Sequence, residues 1–196
     1  MKIEFDEVKT AQAIPGAAAM IETFRAIGYT LETAVADIVD NSISASAKNV
    51  WLNRIWKGVD SVITIMDDGH GMTGDEIIQA MRPGAQNPLE KRAATDLGRF
   101  GLGLKTASFS QCRTLTVMSK IQGQSPEFWT WSLDHVARSD RWELKVLSMN
   151  WMVLHPVPLL SGQIRIGLYR LQQKSRTNMQ NESFLKLSIG LRSIFQ

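Results

Sequence analysis

Three short segments, in a fixed order, constrain this chain more than anything else in it. They are Asp37-Ile38-Val39-Asp40-Asn41, Asp67-Asp68-Gly69-His70-Gly71-Met72, and Gly98-Arg99-Phe100-Gly101-Leu102-Gly103-Leu104-Lys105. In the first, Asp37 and Asn41 stand one helical turn apart, so both side chains reach one site. A carboxylate there can deprotonate or orient a water, and an amide oxygen at i+4 can ligate Mg²⁺. In the second, Asp67 is followed at once by Gly69 and Gly71, glycines that permit a tight turn and close backbone approach to a ligand. A carboxylate at such a turn can accept a hydrogen bond from a purine amino group. In the third, Gly98, Gly101 and Gly103 open a helix whose free N–H groups and dipole favour an anion, and Lys105 and Thr106 follow. Alone, the first segment fits a solvated helix face better and the second an ordinary Asp-Gly turn better, and the third fits a loop hinge equally well. Together and in this order they imply an ATP site.

The pattern around these segments predicts how they are presented. Residues 16–27 read as a helix, broken at Gly28-Tyr29-Thr30, with Thr30 as the cap of a second helix over 31–45. Leu31, Ala34, Val35, Ile38 and Ala45 form its apolar face, and Asp37, Asp40, Asn41 and Ser44 a polar stripe opposite. Residues 49–56 and 61–66 read as strands, 74–81 as a short helix, and 82–97 as a long loop of the kind that serves as a lid. A helix is expected from 101 to 112, then strands at 113–119, 127–133 and 142–148. Beyond about residue 150 periodicity is poor: 172–182 reads as disordered and 183–195 as a short amphipathic helix.

Composition narrows the classes further. With 196 residues, 44% of them hydrophobic, the chain can bury a substantial core. Cys112 is its only cysteine, which excludes an intrachain disulfide and fits a cytoplasmic setting. His70, His135 and His155 lack the spacing of a zinc site. No signal peptide or membrane-spanning run is read. The net charge is +3, and residues 160–196 carry six Lys/Arg against one acid. That basic segment is a candidate for nucleic-acid binding, although a solvated surface explains it as well.

At these residues the chain resembles the GHKL superfamily of gyrase-type topoisomerases, MutL, heat-shock chaperones, histidine kinases and MORC proteins. Ala36 to Ser42 is similar to its N box, Asp67 to Met72 to its G1 box, and Leu97 to Ser108 to its G2 box. The lysine after the glycines is closest to the MORC-like members. The resemblance covers about residues 15–120 and implies an α+β Bergerat sandwich, a mixed, mostly antiparallel sheet with helices on one face. Residues 1–150 are the expected ATP-binding domain, with 151–196 a poorly defined basic segment. The resemblance also implies roles. Asp37 is the general base, Asn41 the Mg²⁺ ligand and Asp67 the adenine-binding carboxylate. Gly69, Gly71, Met72, Gly98, Phe100, Gly101, Leu102, Gly103, Lys105 and Thr106 contact nucleotide. ATP-driven lid closure with dimerisation is the implied cycle, and a binding switch with little hydrolysis is the alternative. The chain departs from the family in three ways. Aspartate replaces glutamate at the base position, which sets the carboxylate back by about 1.5 Å. Ser44 stands where aspartate is common. The late Gly-Thr motif is absent, with Gly162-Gln163-Ile164 the nearest candidate. The chain is expected to end before a transducer domain.

Overall fold

The computed structural model describes residues 10–85, 103–146, 164–171 and 183–188. The chain opens with helix α1 (Ala17–Arg25), whose Ala17, Ile21 and Phe24 recur at helical spacing and are buried. The Asp140 carboxylate accepts from the Ala18 N–H at 2.9 Å, satisfying one of the free donors at the start of α1. Helix α2 (Leu31–Ser44) starts where Thr30 accepts from the Thr33 N–H, as the capping pattern predicts. Its buried stripe is Ala34, Ile38 and Ser42, so a hydroxyl replaces the third apolar residue. Leu31, expected on that stripe, is exposed because it lies in the first turn, ahead of the buried run.

Strands β1 (Asn49–Ile55) and β2 (Val62–Asp67) form the expected antiparallel hairpin, closed by a 3₁₀ turn at Gly58–Asp60. Helix α3 (Gly74–Met81) carries a full capping box between Thr73 and Glu76. Helix α4 (Gly103–Gln111) runs directly into β3 (Cys112–Ser119), which pairs with β4 (Glu127–Ser132). A short helix α5 (Leu133–Ser139) follows. Residue 133 was expected to close a strand. Instead Ser132 accepts from the His135 N–H and caps a helix that buries Leu133 and Val136.

Two expectations are corrected here. Residues 142–146 form no strand of their own, because contact with β4 is limited to one bridge between Lys145 and Thr130. Ser183–Ser188, read as helical, is strand β6, paired antiparallel with β1 from Asn49↔Ser188 to Arg54↔Ser183. Six residues are too few for apolar spacing to separate the two periods, and the open edge of β1 decides the outcome. The segment expected to be disordered, 172–182, lies outside the described residues.

Strand β5 (Ile164–Leu171) completes a six-stranded sheet of order β4-β3-β5-β2-β1-β6. Every described ladder is antiparallel. Helix residues Ile21, Ile38, Ile77 and Phe109 share one core with Val50, Ile63, Ile65, Leu115, Val117 and Trp131 of the sheet. The helices therefore lie on one face, which is the expected two-layer sandwich. Trp131 is the largest side chain fully buried in this layer. It meets Phe109 and Trp142 edge-on and donates its indole N–H to the Met81 carbonyl at 3.1 Å.

Candidate nucleotide site

The site follows α2. At one end the Ser42 hydroxyl donates to Asp67 Oδ2 at 2.9 Å, and the Gly69 N–H donates to Asp67 Oδ1 at 2.9 Å. Asp67 is buried, so these bonds fix its carboxylate in one orientation at the end of β2. The turn that follows is clamped against its neighbours. His70 N–H donates to the Ala45 carbonyl at the end of α2. Met72 N–H donates to Ser119 Oγ at 2.7 Å. Asp68 accepts from the backbone N–H groups of Lys48 and Asn49 and from the Asn49 amide. Burial pushes the Asp68 carboxyl up, but those hydrogen bonds outweigh it and hold it below its ordinary value.

The turn glycines are sterically required. A Cβ on Gly69 would lie 2.7 Å from the Ala45 carbonyl oxygen. Gly71 has φ +78°, and a Cβ there would lie 2.6 Å from the Lys120 carbonyl oxygen. Gly71→Ala is expected to cost about 3 kcal/mol, from backbone strain plus overpacking. Denaturant unfolding of the variant measures this, and an unchanged midpoint would show that the turn yields.

Further along α2, the Asn41 Nδ2 donates to the Asp37 backbone carbonyl at 2.9 Å. That carbonyl can only accept, so the amide nitrogen is committed to it and the amide oxygen stays available as an acceptor. An amide oxygen suits a hard divalent cation, which takes few protein ligands. Asp37 is half-buried and approaches the start of α4: a Cβ on Gly103 would sit 3.6 Å from Asp37 Oδ2. Burial raises the Asp40 carboxyl, and the nearby Asp37 charge raises it further. About 7.5 Å of helix rise separates Asp37 from Ser42. The carboxylate of α2, the start of α4 and the turn after β2 thus lie along one helix.

The third segment is divided. Gly98, Phe100, Gly101 and Leu102 lie outside the described residues, as does most of the expected lid, whereas Gly103 is the first residue of α4. Lys105, expected beside phosphate, reaches the end of α3. It is 2% exposed, and its Nζ donates to the carbonyls of Ala80 at 2.9 Å and Arg82 at 3.2 Å. It ties the end of α3 to the start of α4, the two ends of the expected lid. Burial lowers its ammonium to about 8. Thr106 is buried. Ser44 is exposed. Sequence reasoning passed over Ser42 and Ser119. Only Ser42 left a signal, as a polar residue at the buried i, i+4, i+8 spacing of α2.

The chain belongs to the histidine kinase-, DNA gyrase B- and HSP90-like ATPases, whose family model matches residues 29–157. It is similar to ATPase morc-1 of Caenorhabditis elegans, 29% identical over 91 residues, which is 46% of this chain and 10% of that protein. It is 34% identical to the DNA mismatch repair protein MutL of Rhizorhabdus wittichii over 106 residues, 53% of this chain and 17% of that one. Similarity to the mouse MORC family CW-type zinc finger protein 3 is 26% over 90 residues, 45% and 10% of the two chains. The matched stretch thus spans 10% to 17% of the length of these curated relatives. Membership of the family implies ATP binding. Among the described residues no helix is long and apolar enough to cross a membrane, and no cluster of three or more His, Cys, Asp or Glu could hold a metal on its own.

Proposed function

We propose that the chain binds ATP with Mg²⁺ along α2 and hydrolyses it. The observation that carries this reading is the approach of the Asp37 carboxylate to the first residue of α4, on the same helix as Asn41. Asp67 accepts the adenine amino group, held for that purpose by Ser42 and Gly69. Gly69, Gly71 and Met72 shape the turn beneath the base, and Gly98, Phe100, Gly101, Leu102 and Gly103 are the residues assigned to the phosphates. The free N–H groups at the start of α4 favour the anionic end of the nucleotide. Asn41 holds the cation through its amide oxygen. When bound, Mg²⁺ supplies charge neutralisation on the phosphate oxygens. Asp37 accepts a proton from the attacking water as its oxygen bonds to the γ-phosphorus, and ADP leaves with the electron pair. Lid closure over 82–97 is coupled to pairing of two copies, and residues 160–196 add a salt-sensitive contact to nucleic acid.

The second reading is an ATP-binding switch with little turnover. The short side chain of Asp37 favours it, since misplacement by about 1 Å can cost about a hundredfold in rate. Calorimetric titration with ATP and Mg²⁺, run beside Asp67→Asn, tests the site. In the variant the Gly69 N–H keeps its acceptor, so folding persists while ATP affinity falls at least about a hundredfold. Equal affinity would remove Asp67 from the site. Phosphate release on the same samples separates hydrolysis from a switch.

A further inference from the structure

The turn after β2 is held from three directions, and each hold falls on a different part of it. Its first half is tied to β1 and α2. Asp68 accepts from the Lys48 and Asn49 N–H groups at the start of β1, and the His70 N–H donates to the Ala45 carbonyl at the end of α2. Its second half, Gly71 and Met72, meets the end of β3. There the Ser119 Oγ accepts from the Met72 N–H at 2.7 Å. A Cβ on Gly71 would lie 3.4 Å from that same oxygen and 2.6 Å from the Lys120 carbonyl oxygen. Met72 directly precedes Thr73, the cap of α3, so its N–H stands outside the helix and takes its partner from elsewhere in the fold. Ser119 is fully buried, and the ladders of β3 set its place. It stands opposite Glu127 of β4 and Ile164 of β5, and Ile164 stands opposite Asp67. Adjacent strands of one sheet thus carry the carboxylate at the head of the turn and the hydroxyl that holds its tail.

We infer that Ser119 is a positioning residue for the base of the nucleotide: its hydroxyl fixes Met72, and Gly71 and Met72 set the depth at which the base rests on the turn while Asp67 accepts from its amino group. This rests on the reading of the turn as the base end of the site. Depth matters because a hydrogen bond to the carboxylate weakens steeply once donor and acceptor separate beyond about 3.2 Å. Ser42 and Gly69 orient the Asp67 carboxylate, and Ser119 places the other end of the same turn. It acts through Met72 and touches no part of the nucleotide. The base end is common to ATP and ADP, so the contribution of Ser119 is the same for both. Asp37 and Asn41, at the other end of the site, keep their places without it.

Ser119→Ala removes the acceptor and leaves the backbone ladders of β3 intact. The variant is expected to bind ATP and ADP each about tenfold more weakly, at unchanged stoichiometry, and to raise KM without lowering kcat. Calorimetry and phosphate release on the same samples read this split. Amide hydrogen exchange supplies an arm that needs no nucleotide. The Met72 amide is expected to exchange faster in Ser119→Ala, while those of Leu115 and Val117 in β3 keep their rates. Unchanged affinity for either nucleotide, a fall in kcat, or a Met72 amide as slow as in the wild type would overturn the inference. So would faster exchange of all three amides, which would make Ser119 a general support of the fold. A wild type that binds neither ATP nor ADP would overturn the reading of the turn as a base site instead, and the exchange of Met72 would still decide whether Ser119 holds it.

Discussion

Asp37→Asn is expected to bind ATP as the wild type does and to release phosphate about 10²- to 10⁴-fold more slowly, the usual worth of a positioned general base. Asparagine is the informative substitution because it keeps the side-chain length and one oxygen, so placement is retained and only basicity is lost. The comparison is a split between binding, read by calorimetry, and turnover, read by phosphate release. A parallel loss of affinity would assign Asp37 to nucleotide binding. Unchanged turnover would sink its role as base. If the wild type itself is slow, Asp37→Glu is the complementary variant: the added methylene restores the reach that the aspartate lacks, and turnover is expected to rise if reach is the limit.

The second large effect is on stability and concerns Lys105. Its ammonium titrates at about 8 in the folded chain because of burial, against roughly 10.4 for a solvated lysine. Below pH 8 both states are protonated and the cost of burying the charge is fully present. Between pH 8 and about 10.4 the unfolded chain holds more protons than the folded one, so folding stability rises with pH across that window. Lys105→Met removes the titrating group and preserves bulk. The stability of the wild type relative to this variant is therefore expected to increase by about 3 kcal/mol from pH 8 to pH 10.4. Chemical denaturation of both proteins at several pH values measures the difference and cancels the other lysines. A flat difference would mean that the ammonium is solvated. The same variant leaves the Ala80 and Arg82 carbonyls without this donor, and so separates the end of α3 from the start of α4.

Much of the site was legible because its signals are local. Thr30 caps α2 by its own hydroxyl, Asp37 and Asn41 share a face by spacing alone, and Gly69 and Gly71 announce a turn that no other residue fits. Two-strand pairing around Gly58 was legible for the same reason. What the chain order does not carry is which neighbour a side chain meets. Lys105 follows the glycines as a phosphate-binding lysine would, and nothing in that spacing announces that its Nζ donates to the carbonyls of Ala80 and Arg82. The hidden helix α5 lies in a tryptophan-rich, strand-like run, and one capping serine redirects it. Ser183–Ser188 contains too few residues to declare a period, and the unpaired edge of β1 settles its conformation.

The place of β5 has a consequence for how the protein is made. It joins β3 to β2, with Ile164 opposite both Ser119 and Asp67. Until it is synthesised, the two halves of the sheet have no strand between them, and β2 and β3 each present an open edge to whatever else is nearby. The contacts that close the sheet are also far apart in the chain, the kind that form slowly. Asp67 and the helix that supports it are translated early, but the strand that seats the end of β2 arrives late. Maturation of the turn around Asp67 is therefore gated by the last quarter of the polypeptide, and a ribosome paused short of that point holds an intermediate with that turn unfinished.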